Sequence, residues 1–481
     1  MLPAVARGLG ALCRNSILSY APAVVARRLG FACSLVALAA VGCGDGEAGA
    51  GGEGGVGWSS GAGAGGGGST ATGEGGGPPA ASPLALVVRS ERATRIDVYV
   101  YPTAIGSDAV LVRTLDRGTG ADDDRWTVTI PRHDLEAAGV TGAVHYGLRA
   151  WGPNWPFDAA WVPGSSAGFI ADVDAEGNRF NPNKLLIDPY AREISHDPVT
   201  PEKTDGTVYR TGPDDRARDS GPVAPKSIAF DEPSVDLGVR PAGPLSSDTI
   251  YEVHVRGFTM SDPGVDPACR GTYRAAGEKA GYLADLGVTA IELLPVHETP
   301  NATNDVEAST SGDNYWGYST LAFFAPDRRY ACDQTPGGPT REFREMVFAM
   351  HAAGIKVFID VVYNHTSEGG VGDPDVTRLY SLRGLDNAGY YELDDDARFY
   401  ADNTGIGANT NAANEMVRDL TIDSLRYWHE AMGVDGFRFD LASVLANACE
   451  TECFSFEPDD PSGILARAVA ELPARPADGG P

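Results

Sequence analysis

The sequence predicts an N-terminal all-β sandwich followed by an incomplete (β/α)8 TIM barrel of about four of its eight βα units. Three observations carry that expectation. Residues 83–195 hold five short segments rich in β-branched and aromatic residues, several alternating apolar with polar as half-buried antiparallel strands do. From residue 248 onward, strand-like and helix-like periodicities alternate, the pattern of a parallel sheet. One unit (helix, left-handed glycine, β-branched residue, strand) then recurs at Gly287, Gly354 and Gly433.

The 481 residues carry a formal net charge of -28, with 42% hydrophobic and 22% charged residues. That is a soluble, multidomain composition. Its acidity argues against nucleic acid or anionic membrane surfaces as partners and suits a neutral substrate. Residues 1–42 read as an export signal. Arg27 and Arg28 precede an apolar run from Phe31 to Val41 that is too short to span a bilayer, and small residues follow. The last of them, Ala40-Val41-Gly42, precede Cys43 in a way that resembles the lipidation site of bacterial lipoproteins; a cleaved signal without lipid is the alternative. Residues 43–82, mostly Gly, Ala, Ser and Glu, read as a flexible tether. The expected location is therefore exported, periplasmic or at the cell surface, secreted or lipid-anchored.

The sandwich strands are expected at 85–88, 95–101, 109–112, 126–130 and 143–150. Trp151, Trp155, Phe157 and Trp161 follow, either as a seal against the next domain or as a platform for sugar rings. Residues 178–190 lead into a polar, Pro-rich connection, 196–247, expected to be irregular. The first half of the barrel fills 248–481, with strands expected at 249–256, 288–295 and 355–363 and then at Gly436–Asp440. Its helices are expected to bury Ala276, Ala280, Leu283 and Leu286, then Phe343, Met346, Val347 and Met350, then Val417, Leu420, Tyr427 and Trp428. The four cysteines beyond Cys43, namely Cys269, Cys332, Cys449 and Cys453, suit two disulfides in an exported chain. Three pairings are open, with Cys269–Cys332 and Cys449–Cys453 favoured, and the spacing matches no zinc pattern.

Chemistry concentrates at the strand exits. In Gly433-Val-Asp-Gly-Phe-Arg-Phe-Asp440 a buried strand would place Arg438 and Asp440 on one face, Phe437 and Phe439 on the other. Arg438 would hold Asp440 ionised at the C-terminal end of a barrel strand, where a covalent nucleophile belongs; a structural ion pair is the plainer reading. Asp360-Val-Val-Tyr-Asn-His365 leaves the preceding strand, and an aromatic loop, Asp313 to Tyr318, lies before it. Together these residues suit a pyranose, which needs a ring to stack on, donors to its hydroxyls and a carboxylate beneath the anomeric carbon.

The motifs 360–365 and 436–440 resemble those of the α-amylase family of glycoside hydrolases. The segments 178–190, 251–258, 314–318, 389–391 and 402–407 are similar to those of its isoamylase-type glycogen debranching enzymes. The resemblance covers about residues 83–481. It implies an exported hydrolase of α-1,6 branch linkages in glycogen or amylopectin that retains anomeric configuration. Asp440 would be the nucleophile and Arg438 its partner, while Asp360, His365, Tyr318 and, more weakly, Trp316 would contact substrate. It also implies a structural calcium ion at Asp197, Glu298, Thr299, Asn301 and Asp327, residues that otherwise simply cap turns.

The family's acid/base glutamate follows a fifth barrel strand, and the sequence ends before one. Glu450, Glu452, Glu457 and Glu471 are not credible substitutes. The polypeptide is therefore expected to be truncated, inactive and poorly soluble alone. An α-1,4-acting hydrolase or transglycosylase, and a glucan-binding surface lipoprotein with a decayed barrel, remain the alternatives.

Overall fold

Strand alternation builds the first part of the computed structural model, which describes residues 82–198, 206–232, 234–300, 315–449 and 454–472. In β1 (Leu84–Arg89) Leu84, Leu86 and Val88 point inward while Ala85 and Val87 face solvent. β2 (Arg95–Tyr101), β3 (Leu111–Thr114), β4 (Asp116–Arg117) and β5 (Arg125–Ile130) follow, then a short helix α1 (Arg132–Ala137), β6 (Val144–Trp151) and β7 (Ser227–Ala229). They form two antiparallel sheets, β1-β5-β4 and β3-β2-β6-β7. Leu86, Val88, Trp126 and Ile130 of one share a buried cluster with Ile96, Val98, Leu148 and Ala150 of the other.

Two expectations change here. The third strand begins at Leu111 rather than 109. β7 comes from the segment read as a connector yet pairs with β6, Ser227 opposite Tyr146, so the sheet draws on residues beyond 195. A three-residue strand carries too little periodicity to be read from sequence; the open edge of β6 recruits it. The tryptophans do not form a platform. Trp151, Trp155 and Trp161 are buried against one another and Phe169, and only Phe157 is exposed, with the Arg95 guanidinium 4.1 Å from its ring centre.

The second part holds four parallel strands: β8 (Ile250–Val253), β9 (Ala290–Leu293), β12 (Lys356–Val361) and β13 (Gly436–Phe439), in the order β13-β12-β9-β8. A hairpin not foreseen, β10 (His297–Glu298) with β11 (Ala322–Pro326), follows β9. The helices are α2 (Val255–Thr259), α3 (Tyr273–Glu278), α4 (Ala280–Asp285), α5 (Gly338–Ala352), α6 (Leu382–Tyr390), α7 (Glu415–Glu430), α8 (Ala442–Leu445) and α9 (Ile464–Glu471). Gly287, Gly354 and Gly433 all take positive φ, the left-handed residue each helix-to-strand turn requires. The expected apolar stripes of α5 and α7 are buried without exception.

Three details depart from expectation. The first strand stops at Val253 because the His254 ring accepts from the Gly257 amide and starts a helical turn. The helix expected to bury Ala276 to Leu286 breaks at Lys279 between Gly277 and Gly281, poor helix formers, and leaves Leu286 exposed. β13, expected to be buried, is only half-buried, because it is an edge strand of this sheet. The two parts are tied by side chains: Arg89 bridges Asp124 to Asp419 of α7, and the Tyr190 hydroxyl donates to Asp423.

Candidate active site

The parallel register of β12 and β13 sets Asp360 directly beside Arg438. From there Arg438 Nη1 donates to both oxygens of Asp360 (3.0 and 2.8 Å) and to Oδ1 of Asp440 (3.1 Å). Arg438 and Asp440 do share a face, but the arginine's main partner is Asp360, on the neighbouring strand. Tyr318 donates its hydroxyl to Asp360 Oδ2 at 2.5 Å. Asn364 Nδ2 donates to Asp440 twice, to its backbone oxygen (2.8 Å) and to Oδ2 (3.1 Å). His365 Nδ1 lies 2.5 Å from Asn364 Oδ1 and its Nε2 3.2 Å from the Tyr318 carbonyl oxygen, so both ring nitrogens face acceptors. Tyr318, Asp360, His365, Arg438 and Asp440 thus form one hydrogen-bonded cluster, with Asn364 its central clamp. Asn364 was legible only as sharing parity with Asp360; its hold on Asp440 spans 76 residues.

Burial decides the electrostatics. The Asp360 carboxyl is almost wholly enclosed, which pushes it up to about 6 although Tyr318 and Arg438 both favour its charged form. Burial and the neighbouring Asp360 raise the Tyr318 hydroxyl above its ordinary value, and burial lowers His365. A buried carboxylate braced by an arginine and a phenol, beside a less deeply buried one, can hold a neutral sugar and present Asp440 to it.

Trp316 stands apart from this cluster. It is 56% exposed, edge-on to His254 and Tyr315. Among the described glutamates, Glu457 is exposed and Glu471 pairs with Arg467 and Arg426; Glu450 and Glu452 lie outside the described residues.

Four of the five calcium candidates gather around Arg328. Its guanidinium pairs with Asp197 and Glu298, its amide donates to Glu298 Oε2 (3.1 Å), and Thr299 Oγ1 donates to Asp327 Oδ2 (2.9 Å). Asn301 lies outside the described residues. Burial drives the Glu298 carboxyl well above its ordinary value; Arg328 opposes this, while Asp327 and Asp197 add to it. Oxygen donors and crowded carboxylates suit calcium in kind. The arrangement is nevertheless an ion cluster centred on a guanidinium, and no group of three or more His, Cys, Asp or Glu among the described residues is set to hold a metal.

Cys269 and Cys332 form the expected disulfide across 63 residues, with Cα atoms 5.0 Å apart. Cys449 is disulfide-bonded too; Cys453, and Cys43 with the whole of residues 1–81, lie outside the described residues.

Residues 252–371 match the α-amylase catalytic-domain family. An isoamylase from Flavobacterium sp is 54% identical over 407 residues, 83% of this chain and 52% of that protein. The chain carries a segment of an α-amylase-family catalytic domain. This isoamylase-like chain is also 50% identical to an isoamylase of Pseudomonas amyloderamosa over 410 residues, 82% of the chain and 52% of the relative. A glycogen debranching enzyme of Klebsiella pneumoniae is 39% identical over 352 residues, 72% and 48%. The chain therefore spans about half the length of the curated relatives it matches. Two solved structures share its fold: the catalytic module of the pneumococcal glycogen-degrading factor SpuA (TM-score 0.55, 24% identity, 76% of this chain and 47% of that one) and the GBS pullulanase SAP (0.56, 22%, 76% and 41%).

Proposed function

We propose that the chain carries the nucleophile half of an exported debranching hydrolase that opens α-1,6 branch linkages of glycogen or amylopectin with retention. The observation behind this reading is the place of Asp440, held at the exit of β13 by Arg438 and Asn364 beside Asp360, Tyr318 and His365. The isoamylase relatives supply the substrate class. In the first step Asp440 attacks the anomeric carbon, forming a glycosyl ester as the branch oxygen departs; water then reverses the attack. Asp360 and His365 hold the sugar's hydroxyls, and Tyr318, oriented by Asp360, lies against its ring. The departing oxygen needs a proton, and we assign no acid/base among the described residues. Without that help, natural glucan should react roughly 10²–10⁴-fold more slowly.

The same reading takes the two antiparallel sheets as a β-sandwich and the four parallel strands as half of a TIM barrel. It takes residues 1–42 as an export signal, Cys43 as a lipid anchor, and calcium as the ion that Asp197, Glu298, Thr299, Asn301 and Asp327 would hold, as structural support away from the chemistry.

A substrate that needs no protonation tests the core of this reading. With 5-fluoro-α-maltosyl fluoride the C1–F bond breaks as Asp440 Oδ bonds to C1 and fluoride leaves; the ring fluorine slows hydrolysis of the ester. Peptide mass spectrometry should find the sugar on Asp440. A label elsewhere, or none, refutes the assignment. On natural substrates, cleavage of linear maltooligosaccharides rather than branched dextrins would favour the α-1,4 reading.

A further inference from the structure

Asp440 is followed by a backbone outlier. Leu441 has φ 45° and ψ 46°, and it is the one non-glycine residue with positive φ among those described. Left-handed geometry is strained for a leucine, because its Cβ crowds the following carbonyl. Burial of the side chain does not compensate, since Leu441 is 42% exposed. Something in the surroundings must therefore hold the bend.

The holding contacts all converge on the residue before it. The Asp440 amide donates to Val361 O at 3.0 Å, extending the β12–β13 ladder by one residue. The Asp440 carbonyl accepts from Asn364 Nδ2, so the 440–441 peptide cannot flip to relax Leu441 without losing that bond. The same amide nitrogen reaches Oδ2 of the carboxylate, fixing the rotation of the side chain as well. Asn364 is itself held, by His365 Nδ1 at its Oδ1 and by the Thr410 amide at its backbone oxygen (3.0 Å); the Thr410 hydroxyl binds Tyr363 O (2.6 Å). One asparagine thus grips the backbone and the side chain of Asp440, and immediately beyond it the left-handed Leu441 leads into α8.

We infer that Leu441 and Asn364 are positioning residues that together set the attack direction of the Asp440 carboxylate, Asn364 locking the peptide and the strained Leu441 turning the chain away. The inference rests on Asp440 being the nucleophile. Both act on the sugar through Asp440. A leucine is tolerated at a strained position because the bend aims the carboxylate, and an error near 1 Å in a reacting atom is enough to lower a rate about 100-fold.

The test is saturation kinetics of labelling by 5-fluoro-α-maltosyl fluoride on the full chain, read as a maximal rate and a half-saturating concentration. Leu441→Gly removes the strain and frees the backbone. It should melt at or above the wild-type temperature, keep the half-saturating concentration, and lose about tenfold or more in maximal rate. Leu441→Asn, which tolerates left-handed geometry, should recover most of that rate. Asn364→Ala should behave as Leu441→Gly does; if it fails to fold, the two Leu441 variants still decide. A wild-type rate in Leu441→Gly, or a loss in Leu441→Asn as deep as that of glycine, overturns the inference and leaves the nucleophile in place. No label on the wild type removes the nucleophile, and the inference with it.

Discussion

Replacing Arg438 by alanine should destabilise the protein in proportion to pH, and the size of the effect follows from Asp360. Its carboxyl titrates at about 6 in the folded chain against an ordinary 3.8, a rise of about two units. A raised carboxylate favours folding while it is neutral. That contribution, about 3 kcal/mol at 1.36 per unit, is complete below pH 3.8 and is lost as the pH climbs to 6. Above 6 the wild-type protein has ionised Asp360 and Arg438 carries the charge. At pH 7 the ionised form lies about one unit past its midpoint, a stabilisation of about 1 kcal/mol over the neutral form. Without Arg438 the carboxyl has only Tyr318 as a bonded partner, its pKa climbs further, and that increment disappears. Arg438→Ala should therefore cost almost nothing extra at pH 5, about 1 kcal/mol at pH 7, and up to about 3 at pH 8. Losing a half-exposed guanidinium adds only an offset that does not vary with pH. Urea unfolding of both proteins at pH 5, 6, 7 and 8 reads the slope, and an Asp360→Asn background should abolish it. A penalty equal at all four values would refute the claim that Arg438 serves chiefly to hold Asp360 ionised.

Three further outcomes follow from the same structure. Cys269→Ser with Cys332→Ser opens a bridge across 63 residues and should lower unfolding free energy by as much as about 4 kcal/mol, with reductant reproducing the loss in wild type; a loss below about 1 would contradict the loop-entropy argument. Excess calcium should raise the melting temperature and EDTA reverse it, by about 2.7 kcal/mol of stability at 100 times the dissociation constant; identical melts would retire the calcium proposal. Gly436→Ala would put a methyl group 2.8 Å from the Phe358 ring on the adjoining strand and should cost about 1–3 kcal/mol by urea unfolding, a neutral result showing that β13 can shift.

What the sequence determined by itself was everything written in local periodicity. The two-residue alternation of Leu84–Val88, the apolar stripes of α5 and α7, and the left-handed glycines at 287, 354 and 433 are each set by residues within a turn or two of one another. Asp440 at a strand exit was legible for the same reason, as was its shared face with Arg438. Only the tertiary structure decided where Arg438 spends its charge, because the register of β12 against β13 joins residues 78 apart. The recruitment of β7, the burial of Trp151 and Trp155, the Arg328 guanidinium among the acidic candidates and the left-handed turn at Leu441 belong to the same class. Each depends on which distant group arrives to satisfy a backbone edge, a ring or a charge, and chain proximity carries no record of that.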